Sequence, residues 1–138
     1  MSQAAASLFR TVARTDPLKF WSGQALDYER VREFADLDTS EVARLTGLKK
    51  SSVRYDERAP KELREHFALI ANICNLVFGF FDDDVKTRLW LTTPNPMLGN
   101  ITPRDMIRTG RHAKLLRFIT DALEDEAAAR EETRAAIA

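Results

Sequence analysis

Apolar residues recur along most of this chain at three- and four-residue spacing, the period of a helix with one buried face. The clearest stripe is Leu63, Phe67, Ile70, Cys74, Val77 and Phe81, which predicts the longest core helix over 61–81. Asp82-Asp83-Asp84 offers a cap for a following helix through Trp90. Further on, residues 103–109 read as a short helix ended near Gly110, and 111–123 as another. Upstream, Leu8, Phe9 and Val12 predict a short amphipathic helix over 2–14, Asp16-Pro17 stops or restarts it, and Gly23 marks a break. Tyr28 to Phe34 is a further helix. No strand-like alternation stands out, and glycine and proline are sparse, so the expected fold class is all-α. The tail Glu124–Ala138 is rich in alanine and glutamate but has few apolar anchors, which predicts fraying or disorder unless a partner holds it.

Two segments depart from plain helical periodicity. In Thr39–Arg54, Thr39 or Ser40 can cap a first helix, Ala43 falls where two helices would cross closely, and Gly47 sits where a turn needs positive φ. Leu48 and Val53 would hold a second helix, beginning near Lys50 and Ser51, against the first. This is the spacing of a helix-turn-helix. Its groove-facing candidates are Lys49, Lys50, Ser51, Ser52, Arg54 and Tyr55, with Lys and Arg suited to phosphates and Arg54 also to a guanine edge. Pro60 ends that helix, and Asp56 and Glu57 weaken the basic surface. The second segment runs from Trp90 to Ile107. Pro94 and Pro96 forbid helix continuation and bias the residues before them toward extended backbone. Thr102-Pro103-Arg104-Asp105 then starts a helix, with Thr102 as cap, Pro103 at the first helical position and a carboxylate near the positive end of the dipole. Trp90 and Leu98 are expected to anchor the loop on the core.

Composition narrows the function classes. With 138 residues the chain forms one domain, or two small ones sharing a core. A formal net charge of zero hides an asymmetry: 44–58 carries five bases against two acids, 104–117 five against one, and 121–138 two against six. Two basic segments and an acidic tail point to charged partners. No run of about 18 apolar residues occurs, so no membrane span is expected. The first residues lack the basic and apolar regions of a signal peptide. The single Cys74 cannot form an internal disulfide, and both features suit the cytoplasm. Cys74 lies among Ile70, Ile73 and Val77 and reads as a buried, inert thiol.

Catalytic constellations are missing. His66 and His112 are the only histidines, with no cysteine cluster for zinc. His66 lies beside the core stripe and reads as structural. His112 stands at a helix start, where a solvated or interface role is expected. Asp82-Asp83-Asp84 could attract a cation, but reads first as a cap with solvated neighbours. No phosphate-cradling glycine loop or nucleophile elbow is present. The expectation is a protein that is not an enzyme, with no metal and no cofactor.

The pattern W-L-x-x-P-N-x-x-L-G-x-x-x-P-x-x-M-I, nine specified positions over Trp90–Ile107, resembles the toxin-binding domain of the Xre/MbcA/ParS antitoxin family. Thr39–Arg54 resembles the Xre-type DNA-binding domains that precede it in that family. The similarity covers roughly residues 25–120. It implies an N-terminal Xre-like helix-turn-helix bundle followed by a small helical toxin-binding domain, divided as an extension (1–24), a helix-turn-helix domain (25–81), a toxin-binding domain (82–123) and an acidic tail (124–138). It further implies a type II antitoxin that neutralises a RES-domain toxin, one that consumes NAD or transfers its ADP-ribose, by occluding the active site. Repression of its own operon through operator DNA, and a homodimer within a larger complex, go with that resemblance. The NAD would belong to the toxin. Candidate toxin contacts are Trp90, Asn95, Leu98, Arg104, Arg108 and Arg111, with Glu124, Glu131 and Ile137 on the tail. The runner-up is a stand-alone helix-turn-helix regulator dimerising through its C-terminal half; a third reading is a helical adaptor that binds no DNA.

Overall fold

A computed structural model describes residues 16–137. The helix expected over 2–14 lies outside the described residues. A two-residue antiparallel hairpin comes first, β1 (Trp21–Ser22) and β2 (Ala25–Leu26), with Trp21 opposite Leu26 and Ser22 opposite Ala25. Gly23, with φ of 62°, makes its turn. Six helices follow: α1 (Tyr28–Ala35), α2 (Thr39–Thr46), α3 (Lys61–Phe81), α4 (Asp84–Thr92), α5 (Pro103–Arg108) and α6 (His112–Ile137). The all-α expectation holds, with the hairpin as its one small addition.

Local chemistry explains the helix ends. Asp27 caps α1 by accepting the Arg30 amide at 3.1 Å. The cap of α2 is Asp38, one position ahead of the expected Thr39 or Ser40. Its carboxylate accepts the Glu41 amide at 2.7 Å, while the Glu41 carboxylate accepts the Asp38 amide at 3.1 Å, a reciprocal capping box. Asp83 caps α4, and Thr102 with Pro103 opens α5 as expected.

The stripe read on α3 is the centre of the core. Leu63, Phe67, Ile70 and Cys74 are fully buried, and Val77 nearly so; each large apolar side chain among them contributes about 1.5–3 kcal/mol. Around it α1, α4 and α6 pack directly. One apolar cluster runs from Leu18 and Phe20 through α1–α5 to Leu115, Leu116 and Ile119, so the core continues across residue 81. The hairpin is tied to α3 by Asn75, which accepts the Leu18 amide at 3.2 Å and donates to Asp16 at 2.9 Å.

Two expectations need correction. The second helix of the helix-turn-helix is absent as a helix: Lys50–Ser52 is a single 3-10 turn, after which Val53 is extended. Serine and valine here have weak helix propensity, and Tyr55 is drawn inward. Its hydroxyl lies 3.1 Å from Thr39 Oγ1, its ring centroid 6.2 Å from that of Phe67, and the Arg32 guanidinium 5.6 Å above it. The tail is also not frayed. Residues 124–137 continue α6 without a break, although nearly all of their side chains are exposed. Their helix grows from a half already nucleated by buried Leu115, Leu116 and Ile119, so only elongation through alanine-rich sequence is required. A Glu126–Arg130 ion pair spans one turn of it.

Candidate functional site

The Trp90–Ile107 segment folds as a helix, a pinned loop and a second helix. Asn95 organises the loop. Its amide donates to the Ile101 carbonyl at 3.0 Å, its carbonyl accepts Leu98 at 2.9 Å and Asn100 at 3.0 Å, and its side chain accepts the Met97 amide at 2.9 Å. Gly99 and Asn100 follow with φ of 75° and 65°, the left-handed geometry that glycine and asparagine accept at least cost. Trp90 and Leu98 are half-buried against the core, while Leu91, Pro103, Met106 and Ile107 are buried. The expected anchoring is present. Met97 is left 77% exposed at the loop tip.

Two concavities flank Phe118 of α6. The first is an apolar groove of about 190 Å³ between the end of α3, α4 and α6, lined by Leu76, Phe80, Phe81, Trp90, Phe118 and Leu123, with Asn95 and Glu126 at its margins. Phe80 is 54% exposed and meets Phe81 edge to face at 5.0 Å. Val85 and Leu89, one turn apart, leave a further apolar stripe exposed on α4. The second is a cleft of about 530 Å³ between the loop and α6, lined by Met97, Leu98 and Ile101 from the loop and by Arg111, Lys114, Arg117 and Phe118 at and along α6.

The three arginines named as toxin contacts divide. Arg104 turns inward: its Nε donates to the Asp36 carbonyl at 2.8 Å and one terminal nitrogen lies 3.2 Å from Glu41 Oε1. Arg108 pairs with Asp105 at 2.6 Å and faces Glu41 at 3.9 Å. The buried Glu41 carboxylate thus links the start of α2 to α5, which offsets the cost of its burial. The hydrogen bond from Arg108 holds Asp105 below the usual carboxylate range. Arg111 instead is exposed and borders the cleft. On the tail, Glu124, Glu131 and Ile137 are all exposed; Glu124 directly follows the groove residue Leu123, while Glu131 and Ile137 lie further along the helix.

His66 and His112 meet although they are 46 positions apart, Nδ1 of one lying 2.7 Å from Nε2 of the other. Where a solvated or interface role was expected, His112 is buried, because the first turn of α6 packs onto α3. Burial, and then the neighbouring His66, push His112 down to about 4; burial also lowers His66. The pair is therefore neutral at pH 7, one imidazole donating to the other. Cys74 is buried as expected, and burial pushes its thiol up to about 12. Among the described residues no group of three or more His, Cys, Asp or Glu could hold a metal ion, and no helix is long and apolar enough to cross a membrane.

Of the groove-facing candidates in the first segment, Lys49, Lys50, Ser51, Ser52 and Arg54 are exposed on the 3-10 turn and the extended strand after it. Tyr55 is half-buried and serves packing. The groove residues that sequence reasoning did not single out for the site are Phe80, Phe81 and Leu123. Phe80 lies beside Phe81 but off the buried stripe, which signals an outward-facing ring; the surface it joins is formed only where α6 packs against α3.

The pinned loop and the aromatic groove lie side by side on one small helical body. Residues 77–129 match the family model of the antitoxin Xre/MbcA/ParS C-terminal toxin-binding domain. The matched stretch runs from the end of α3 into the exposed tail, and so contains the pinned loop and all of the groove lining except Leu76. No curated protein matches the chain.

Proposed function

We propose that this protein is the antitoxin of a type II pair and neutralises a RES-domain toxin that consumes NAD or transfers its ADP-ribose. The observation that carries the reading is the groove of Phe80, Phe81, Trp90 and Leu123 inside the matched toxin-binding segment. Exposed aromatic side chains around a rigid loop are the kind of surface from which interface hot spots are built. The toxin docks on this groove, with Leu98 and Asn95 holding the loop in place. The acidic, already helical tail, with Glu124, Glu131 and Ile137, reaches from the docked body into a cationic cleft of the toxin and excludes its substrate. Arg104 and Arg108 support this surface from within and leave direct contact to others.

The chain works as a homodimer in the cytoplasm within a larger toxin–antitoxin complex, and represses its own operon through Lys49, Lys50, Ser51, Ser52 and Arg54. That segment contacts DNA as an exposed basic turn, which suits phosphates more than base edges. Residues 25–81 carry this role and 82–123 the toxin-binding role, on one shared core.

Co-expression with a RES-domain toxin encoded beside it, followed by size-exclusion chromatography and an NAD-loss assay, tests the proposal. The full chain is expected to co-elute with the toxin and stop NAD loss. A chain lacking Glu124–Ala138 is expected to co-elute but protect poorly at saturating concentration. Separate elution of the two full proteins would refute the reading, and full protection by the shortened chain would remove the tail from the mechanism.

A further inference from the structure

The cleft between the loop and α6 has a chemistry that toxin docking on the apolar groove does not use. Its volume of about 530 Å³ falls in the range of small-molecule sites. Its apolar lining comes from Met97, Leu98 and Ile101 of the loop and Phe118 of α6. Arg111, Lys114 and Arg117, all exposed, line it at the start of α6. None of these three has a carboxylate partner among the described residues, whereas Arg104, Arg108 and Arg130 all do. Arg111 is partly oriented, its Nε donating to Thr109 Oγ1 at 3.2 Å, which leaves the terminal nitrogens of the guanidinium unused by that bond.

We propose that this cleft binds a nucleoside diphosphate or a ligand of the same build. The phosphates take charge-assisted hydrogen bonds from Arg111, Lys114 and Arg117. The base lies against Met97 and Phe118, where a polarizable thioether and an aromatic ring suit a flat π system. Asp121 borders the cleft and can accept a hydrogen bond from a sugar hydroxyl. The same helix argues against a long nucleic acid as occupant. Immediately after Arg117 it turns acidic, with Asp121, Glu124, Asp125 and Glu126, and these carboxylates repel a backbone that continues past the cleft. A compact anion avoids that repulsion. The cleft shares Phe118 with the apolar groove, but its cations lie outside that groove and its test needs no second protein.

Calorimetric titration of the full chain with ADP, with adenosine, with inorganic phosphate and with a short DNA duplex tests it. Saturable ADP binding is expected with a Kd on the order of 10 µM to 1 mM, at least about tenfold tighter than adenosine or phosphate alone. The double variant Lys114→Gln/Arg117→Gln changes only exposed side chains and should fold; it is expected to lose at least about tenfold in ADP affinity. Met97→Ala should weaken ADP without altering phosphate binding. Three results would overturn the proposal: no saturation by ADP up to several mM, unchanged ADP affinity in the double variant, or DNA binding tighter than ADP through the same two cations. Loss of toxin binding by the double variant, with no ADP binding in the parent, would assign the cleft to an acidic segment of the toxin instead.

Discussion

Two segments of this chain pair a helix with a following turn, and they fold by opposite means. After α4, two prolines exclude helix, Asn95 closes the loop through four hydrogen bonds from its backbone and side chain, and Thr102 with Pro103 starts α5. After α2, Gly47 turns the chain with φ of 73°, but the expected helix is replaced by a 3-10 turn and an extended run. The first segment is built from residues whose local preferences agree with one another. In the second, weak local preference yields to a long-range contact, the seating of Tyr55 against Thr39, Arg32 and Phe67. A rigid loop can present a fixed protein-binding surface, whereas the exposed basic turn has less structure with which to read a base sequence.

The largest expected break in this comparison is Trp90→Ala. The indole is half-buried against the core, so the loss should be about 2–3 kcal/mol, below that of a fully buried tryptophan. Urea denaturation of the variant measures it, and an unchanged midpoint would show that the loop does not depend on this anchor. In the other segment, Tyr55→Phe removes one part-buried hydrogen bond and should cost about 1 kcal/mol. No change in stability, together with weaker DNA binding, would return Tyr55 to a groove-facing role.

A pH series sharpens the comparison at the far end of the loop segment, where His112 opens α6. Both histidines have folded-state values below the ordinary one, so the fold favours their neutral forms. Their contribution is complete above the unfolded value near 6.5 and is lost as pH falls from there toward about 4. By pH 5.5 the loss should be on the order of 1 kcal/mol, and His112→Gln should reduce that slope. A denaturation midpoint that is flat between pH 7 and 5 would contradict the neutral pair.

Much of this architecture was legible from local patterns. The α3 stripe, the Pro94–Pro96 break, the Thr102-Pro103 start and the positive φ at Gly47 are all set by residues close in sequence. What escaped depends on distance along the chain. Tyr55 has strand and helix options that only Phe67 and Thr39 decide. His66 and His112 show no pairing signal across 46 positions. Arg104 and Arg108 read as surface cations because nothing near them in sequence announces Glu41. The tail was misread for a different reason: its few apolar residues cannot nucleate a helix, yet a helix already begun at His112 runs through them. In the candidate site, the loop residues Trp90, Asn95 and Leu98 were visible as a motif, but the groove wall of Phe80, Phe81 and Leu123 emerges only when α3 and α6 are brought together.

The most direct test of the account is the affinity of the toxin for two surface variants of the folded full chain. Phe80→Glu places a charge in the apolar groove, and Lys50→Glu reverses one on the basic turn. The account predicts that Phe80→Glu weakens the complex by roughly 30-fold or more, the scale of a hot-spot loss, while Lys50→Glu leaves toxin affinity unchanged. Unchanged affinity in Phe80→Glu with a large loss in Lys50→Glu would contradict it and place the toxin on the other segment.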